Sequence, residues 1–313
     1  MVDRRLYAIA ADGSPECLAD LGDRSPTWLA WSPDGDEVLV GPDVLLRADG
    51  TFSTTGYFAG NTNVSWSAPT GKALIAPKAA TGELIWRDAH DSTDRIDVSF
   101  ADDVTSAAYH PAGQHIVAAG VGRDGNGPGV FVASNRGANA ERIGVLEPGS
   151  TADDVAFDMN GDSVVFVHHH SDGSSHVHRF VFPTAELLTL ADLPDSTASN
   201  VVVSPVDQGD VAWAQSTSTS IESTHVLLAG ATTDVRADSP DGEHTSQPIG
   251  WLPGHRLLVD SRAIGAPSSA PFELWEWSAT GMTKVIDGVT AAATRTAHGP
   301  YNELTIIPGS GFG

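Results

Sequence analysis

Short apolar runs recur along the chain, each bounded by Gly, Pro, Asp or Ser, and no helical periodicity is sustained between them. The clearest unit is Thr-Trp-Leu-Ala-Trp-Ser-Pro-Asp-Gly at 27–35, which the apolar run at 36–40 follows directly. Related units lie at 62–71, 105–113, 153–161, 199–209 and 247–254, with a worn copy at 294–300. Strand-forming segments that return at a regular period indicate a fold built from similar β-sheet units.

A large side chain occupies one position of nearly every unit, and we use that position as the anchor of the repeat. The anchors are Trp31, Trp66, Tyr109, Phe157, Val203, Trp251 and, in the worn copy, His298. Successive anchors are 35, 43, 48, 46, 48 and 47 residues apart, which suits four short strands per repeat. The residue before the anchor is small, as expected where innermost strands crowd around an axis. The sequence therefore predicts an all-β fold, a seven-bladed β-propeller with four-stranded antiparallel blades.

Further strands are predicted after each anchor. In the fourth unit they lie at 163–167, 177–183 and 186–190. The two ends of the chain carry incomplete units, since 6–21 predicts two outer strands and 291–307 predicts two inner ones. Pairing these two segments would complete a seventh blade and remove two exposed sheet edges. We therefore expect a single propeller domain over 1–313, closed by outer strands from the N-terminal segment and inner strands from the C-terminal one.

Two strings in the chain resemble those of a known family of propellers. They are Trp-Ser-Pro-Asp-Gly at 31–35 and Leu-Tyr-Ala-Ile-Ala-Ala-Asp-Gly at 6–13. Both are similar to the WD-repeat-like units of TolB-type propellers, and related units form the propellers of prolyl oligopeptidases and oligogalacturonate lyases. The resemblance implies a fold family and hardly implies an activity. The sequence lacks the Gly-x-Ser-x-Gly motif that a prolyl oligopeptidase would need, so we assign no catalytic residue and expect a protein without enzymatic activity.

The charge balance narrows the choice of partners. Seventeen Lys and Arg residues against forty Asp and Glu residues give a net charge of −23. Such a surface repels phosphate backbones and anionic lipid headgroups, so we expect neither a nucleic-acid partner nor binding to a membrane surface. No window approaches eighteen uninterrupted apolar residues, so we expect no insertion into a membrane. The N-terminal residues show no apolar leader segment. The sequence therefore predicts a cytoplasmic protein, or an exported one whose leader has been removed.

Histidines are concentrated in the predicted hairpin of the fourth unit. The segment 167–178 reads Val-His-His-His-Ser-Asp-Gly-Ser-Ser-His-Val-His and holds five of the twelve histidines. If 171–175 form a five-residue loop, His170 faces His176 and His168 faces His178. Side chains alternate between the faces of a strand, so these four imidazoles would share one face and could bind Zn²⁺, Ni²⁺ or Cu²⁺.

A second register of the same hairpin separates the histidines. An Asp-Gly pair favours a two-residue turn, and Asp172-Gly173 at its centre would shift the pairing by one residue. His169 would then join His176 and His178 on one face, and His168 and His170 would lie on the other. A polar, exposed hairpin tip without a metal ion is the simpler interpretation. The metal site at His168, His170, His176 and His178 is the one cofactor that the sequence suggests.

The residues at the start of the innermost strands, at the mouth of the expected channel, are polar except for the aromatic Trp28. We call this set the rim: Trp28, Asn63, Ser106, Asp153, Asp154, Asn200, Gln247 and Arg295. Loops from every blade of a propeller converge on this face, so the rim is a candidate site for a partner or ligand. The alternative is a set of strand starts that channel water solvates.

The leading hypothesis from the sequence is a scaffold that binds a protein or peptide through the rim face. Aspartate-rich loops would favour a basic partner. Two hypotheses of another class stay open. The protein could be a metal-dependent enzyme of the lyase or hydrolase type, or it could bind a small ligand in its channel.

Overall fold

The computed structural model shows an all-β chain of antiparallel four-stranded blades. It describes residues 5–9, 15–22, 24, 28–32, 36–41, 44–47, 50–54, 64–67, 72–75, 84–88, 93–96, 98, 100–205, 207–217, 222–237, 244–267, 270–294 and 304–308. The first strands are β1 (Arg5–Ile9), β2 (Pro15–Asp20), β3 (Leu29–Trp31), β4 (Glu37–Val40), β5 (Val44–Arg47), β6 (Phe52–Thr54), β7 (Val64–Ser67), β8 (Lys72–Ile75), β9 (Leu84–Asp88) and β10 (Thr93–Ile96). Two blades follow from them, blade I (β3–β6) and blade II (β7–β10).

The middle of the chain forms the longest described segment and carries the histidine hairpin. Its strands are β11 (Ala101–Tyr109), β12 (His115–Gly122), β13 (Gly127–Ser134), β14 (Glu141–Val145), β15 (Thr151–Phe157), β16 (Ser163–His169), β17 (Ser175–Val181), β18 (Glu186–Leu193), β19 (Ser196–Val203), β20 (Val211–Thr217), β21 (Glu222–Leu227) and β22 (Val235–Arg236). They form blade III (β11–β14), blade IV (β15–β18) and blade V (β19–β22). In blade IV, β16 and β18 begin at the predicted residues and extend further.

One larger sheet contains the remaining strands, so the described strands form five separate blades and a seven-stranded sheet. Its late strands are β23 (His244–Leu252), β24 (Arg256–Ala263), β25 (Phe272–Ser278), β26 (Gly281–Thr294) and β27 (Leu304–Pro308). The order in the sheet is β23-β24-β25-β26-β27-β1-β2. β26 pairs with β25 through its first half and with β27 through its second half. Strands from opposite ends of the chain are neighbours, since Tyr7 pairs with Ile306 and Ile9 with Leu304.

The residue after the anchor closes the turn that ends the innermost strand. Asp158 accepts a hydrogen bond from the backbone N–H of Asp162 at 2.9 Å, and Ser204 accepts one from Asp207 at 2.8 Å. Gly161, in the turn of blade IV, has φ +78°, a conformation that glycine adopts without steric cost. These contacts explain why Ser or Asp follows the anchor and why glycine closes the repeated motif.

Tryptophan anchors connect neighbouring sheets. The indole Nε1 of Trp251 donates a hydrogen bond to the carbonyl of Val202 in blade V at 3.1 Å. Trp66 in blade II donates in the same way to the carbonyl of Ala30 in blade I, at 3.2 Å. Both acceptors are the small residues that precede the previous anchor. Trp251 is 1% exposed, so its ring fills the space between blades and its N–H still has a partner.

The apolar core lies between adjacent blades. Val165 and Val177 of blade IV, for example, pack in one buried cluster with Val211 and Trp213 of blade V. The central strands of blade IV are covered on both faces, by blade III and by blade V, which accounts for the continuous apolar runs there. The ends of the blades stay free of this packing and carry the polar groups described next.

Candidate functional site

Three rim residues form a chain of hydrogen bonds from blade to blade. Ser106 of blade III accepts a hydrogen bond from the backbone N–H of Val155 in blade IV at 3.1 Å. Asp154 of blade IV accepts one from the N–H of Asn200 in blade V at 2.5 Å. The side-chain amide of Asn200 donates to the carbonyl of Pro248 in the seven-stranded sheet at 2.7 Å. These rim groups therefore join the innermost strands, and this role uses much of their hydrogen-bonding capacity.

Asp154 and Asn200 share an unusual backbone conformation, with φ +51° and +52°. Asp and Asn adopt this left-handed region more readily than other residues that carry a Cβ. The register of the innermost strand shifts at the same place, between Asp153 and Ala156 in blade IV. Burial, and then the neighbouring Asp153 carboxylate, raises the pKa of Asp154 to about 6, although the N–H groups of Asn200 and Val201 oppose the rise.

The raised pKa of Asp154 predicts a pH dependence of stability. The proton binds more tightly in the folded protein, so the contribution to stability is complete below pH 3.8 and is lost as the pH rises through about 6. Asp154→Asn keeps a side chain suited to the left-handed backbone and cannot titrate. We expect the unfolding free energy of the wild type to fall relative to this variant between pH 4 and 7, by roughly 2 kcal/mol. Urea unfolding at four pH values measures it, and a pH-independent difference would contradict the assignment.

The other rim residues take different positions. The Trp28 ring is half-buried against the backbone of Gly41, where an added Cβ would lie 2.0 Å from the ring, and it packs beside Leu39 and Leu45. Gln247 donates from its amide to Glu222 at 2.5 Å, and Asp153 is half-buried on β15. Asn63 and Arg295 lie outside the described residues.

The histidine hairpin adopts neither of the two registers predicted from the sequence. His168 pairs with His176 and His169 with Ser175. The backbone N–H of His170 donates to the carbonyl of Ser174 at 2.9 Å, so the loop contains three residues, Ser171, Asp172 and Gly173. Gly173 has φ +90°, which fits a three-residue loop that ends in a left-handed glycine. The two-residue turn and the five-residue loop were therefore both wrong. Asp172 and Gly173 do lie in the turn, but they are the second and third residues of a three-residue loop and not the only two residues of a shorter one.

The grouping of the histidines nevertheless follows the five-residue prediction. The observed register differs from that one by two residues, and a shift of two leaves every side chain on the same face. The imidazole rings of His168 and His170 are 4.0 Å apart, those of His170 and His176 are 4.4 Å apart, and those of His176 and His178 are 5.3 Å apart. We call these four residues the histidine face. His169 points to the other side of the strand.

Acidic and hydroxyl groups surround the histidine face. Glu147, in the connection from blade III, contacts His170 Nδ1 through Oε1, and its Oε2 lies 3.1 Å from His168 Nε2. Asp192 on β18 lies 3.1 Å from Nε2 of His176. The sequence did not identify Glu147, because 21 residues separate it from the first of these histidines and only the packing of blade III on blade IV brings them together.

Two of the four imidazoles are buried. Burial, followed by His170, lowers the pKa of His168 to about 4, against an opposing effect of Glu147. Burial, followed by His176 and His168, lowers the pKa of His178 to about 4. Both rings are therefore neutral at pH 7. The Nε2 of His168 makes no hydrogen bond, because its approach to Glu147 has the distance but not the geometry of one.

A smaller cluster lies at the opposite end of the blades. His255 contacts the buried carboxylate of Asp210 through Nδ1 at 2.6 Å, and its backbone N–H donates to Asp207 at 2.9 Å. Asp210 also accepts a hydrogen bond from the N–H of Ala229 at 2.8 Å. The hydrogen bond that His255 makes to the Asp210 carboxylate raises the pKa of His255. These contacts link the turns of neighbouring sheets, which accounts for the cluster structurally.

Solved structures share the architecture of this chain. A TolB structure from Agrobacterium tumefaciens is 11% identical, with a TM-score of 0.58 over 100% of both chains. A prolyl endopeptidase structure is 12% identical, with a TM-score of 0.60 over 90% of this chain and 46% of that one. A chain of a nidogen/laminin complex is 6% identical, with a TM-score of 0.57 over 83% of this chain and 91% of that one. Identities this low establish a shared fold alone.

Sequence comparison adds nothing to the structural likeness. No family model matches the sequence, and no curated protein matches it. In the part of the chain that the structure describes, no helix has the length and apolarity needed to cross a membrane.

Proposed function

We propose that this chain, which has the β-propeller fold of the TolB structures, comprises seven blades in one domain over 1–313. Supporting this count, the two halves of β26 pair with different strands. The first half would be the outer strand of a sixth blade and the second half the inner strand of a seventh. Segments 291–307 and 6–21 would then make the closing blade, through the ladder between β27 and β1.

We further propose that the protein is a non-enzymatic scaffold that binds a protein or peptide through the end of the blades where the innermost strands begin. The observation that carries this proposal is a concentration of exposed carboxylates there on blades III and IV and their connections. We call this set the acidic end: Asp102, Asp103, Asp124, Glu147, Asp172, Asp192 and Asp195. The described rim residues of blades III and IV, Ser106, Asp153 and Asp154, lie at the same end of the strands.

Two aliphatic side chains stand exposed among these carboxylates. Val145, at the end of β14, is 73% exposed and Val121, near the end of β12, is 38% exposed. Apolar contacts within a charged surround are typical of protein interfaces. The similar chain of the nidogen/laminin complex comes from an assembly of two proteins, which supports protein binding as a use of this fold.

The partner that fits the acidic end carries a basic surface. Arg123 and Arg142 are the described cations near it, and they are already paired, with Asp102 at 2.6 Å and with Asp124 at 2.9 Å. The remaining carboxylates leave a negative field that would speed the encounter with a positively charged protein. Screening by salt would weaken this effect.

The test compares neutralising substitutions at the two ends of the blades. Asp103→Asn, Asp172→Asn and Asp195→Asn together remove three exposed charges from the acidic end. The matched control removes three from the opposite end: Glu141→Gln, Asp162→Asn and Glu186→Gln. A partner is first recovered from the source organism's lysate on the immobilised, untagged protein, with and without a chelator. Its association rate is then measured at low and high salt.

We expect the first triple variant to lower the association rate at low salt by about tenfold. We expect the control to leave the rate unchanged, because its charges lie at the other end of the strands. The difference should disappear at high salt. Equal rates for both variants would show that the partner does not use the acidic end, and recovery of no stoichiometric partner would overturn the scaffold itself.

A further inference from the structure

We propose that the histidine face binds one divalent late transition metal ion, with zinc as the reference ion. His168, His176 and His178 each offer one nitrogen, and these nitrogens lie within 4.8 Å of one another. His170 supplies a fourth imidazole, with its Nε2 3.1 Å from Nδ1 of His176. Glu147 and Asp192 of the acidic end also contact this histidine face. Zinc binding and protein binding are measured separately, so either proposal can fail without the other.

The hydrogen bonds orient the imidazoles as metal ligands are usually oriented. A metal-bound histidine commonly donates its second N–H to a carboxylate or another acceptor. Here Glu147 accepts from Nδ1 of His170, and Asp192 lies 3.1 Å from Nε2 of His176. These contacts leave Nε2 of His170 and Nδ1 of His176 directed at each other, at a spacing close to the roughly 3.3 Å between nitrogens on one tetrahedral zinc ion.

The contacts of His170 and His176 show which of their nitrogens an ion would bind. Both outer contacts go to carboxylates, so His170 must carry a proton on Nδ1 and His176 one on Nε2. The two remaining nitrogens lie 3.1 Å apart. A metal ion between them would accept both lone pairs.

His168 and His178 provide the buried side of the site. His168 is 5% exposed, and its Nε2 faces Oε2 of Glu147 at 3.1 Å without the geometry of a hydrogen bond. His178 is 7% exposed, and its ring contacts Oγ1 of Thr189 and the backbone of Leu188. One of its nitrogens lies within 4.8 Å of a nitrogen of His168 and of His176.

The donor set selects the kind of ion. Neutral imidazole suits Zn²⁺, Ni²⁺ and Cu²⁺, whereas Ca²⁺ and Mg²⁺ prefer oxygen ligands. The two carboxylates beside the site already contact imidazole nitrogens, so they are placed to support the ligands. We therefore expect binding of zinc without competition from millimolar calcium or magnesium.

The test uses the full chain without a histidine tag. Zinc is titrated by calorimetry in the presence of excess Mg²⁺, and cobalt is added in its place to obtain a visible spectrum. We expect one zinc ion per chain with submicromolar affinity, and a cobalt spectrum with the intensity of a four-coordinate site. Binding that is weak, or several ions per chain, would overturn the proposal.

Matched substitutions on the two faces of the hairpin identify the ligands. His176→Asn should weaken zinc binding at least tenfold, and Asp192→Asn should weaken it about tenfold through the orientation of His176. His169→Gln is the control, because His169 lies on the same strand but faces the other way, with Nδ1 3.0 Å from Oγ of Ser175. Circular dichroism confirms that each variant is folded. Equal losses in the control and in His176→Asn would contradict the assignment.

Discussion

Replacing Trp251 with alanine is expected to lower the free energy of unfolding by about 3–5 kcal/mol, the range for truncating a large aromatic side chain in a core. Trp251 is 1% exposed and packs between blade V and the seven-stranded sheet, in a cluster with Val226 and Leu257. The substitution also leaves the carbonyl of Val202 without its indole partner. Urea unfolding of the wild type and the variant, followed by tryptophan fluorescence and by circular dichroism, measures the loss.

A comparison with Trp213 separates the hydrogen bond from the packing. Trp213 is also fully buried, but its Nε1 makes no hydrogen bond. Trp251→Phe removes an N–H that makes a hydrogen bond and leaves the carbonyl of Val202 without this donor. Trp213→Phe removes an N–H that makes no hydrogen bond. We expect Trp251→Phe to cost about 1–3 kcal/mol more than Trp213→Phe. The reverse order would show that the bond between blades contributes little.

Replacing Gly161 with alanine is expected to destabilise the protein by about 2–5 kcal/mol, from two causes that add. Gly161 has φ +78°, a conformation that costs a residue with a Cβ about 1–2 kcal/mol. The new Cβ would also lie 1.9 Å from Nε2 of His110, so the imidazole must leave its contact with Phe157. Forcing extra volume into a packed site costs about 1–3 kcal/mol more.

Gly173 provides the control for the conformational cost of placing a Cβ on a residue with positive φ. It has φ +90° in the tip of the histidine hairpin, and a Cβ there would meet nothing within 4 Å. Gly173→Ala should therefore show the conformational cost alone, and the measured difference between the two variants should equal the cost of the clash. If both substitutions cost the same, His110 moves aside freely and the turn of blade IV is less tightly packed than the structure indicates.

The blades were predictable because their signals are local. An apolar run with a large anchor, a capping Ser or Asp and a glycine in a left-handed turn specifies one innermost strand, and the structure confirms these strands in blades III, IV and V. The sequence did not reveal that β26 continues from one unit into the next. That continuity depends on two different pairing partners, β25 and β27, which lie apart along the chain.

The candidate sites were predictable only in part. Alternation along a strand placed four histidines on one face, yet the loop that sets the register was misjudged in both alternatives. The rim was predicted to bind a partner or ligand from the position of its residues in the repeat and from their polarity. Polarity does not distinguish a residue that awaits a ligand from one such as Asn200 that already bonds to the next blade. Glu147 was missed, because its approach to the histidines depends on how neighbouring blades pack.

The ladder between β1 and β27 sets an order of events during synthesis. Residues 7–9 leave the ribosome before the blades do, but their partners at 304–306 are made nearly 300 residues later. Blades I to V pair strands that are close in sequence, so each can form soon after its own residues emerge. The β1–β2 hairpin must wait with one edge unpaired, and joining it to β27 closes the longest loop among the described strand pairs. The pairing of β1 with β27 is therefore the step before which a nascent chain is exposed longest to mispairing with another copy.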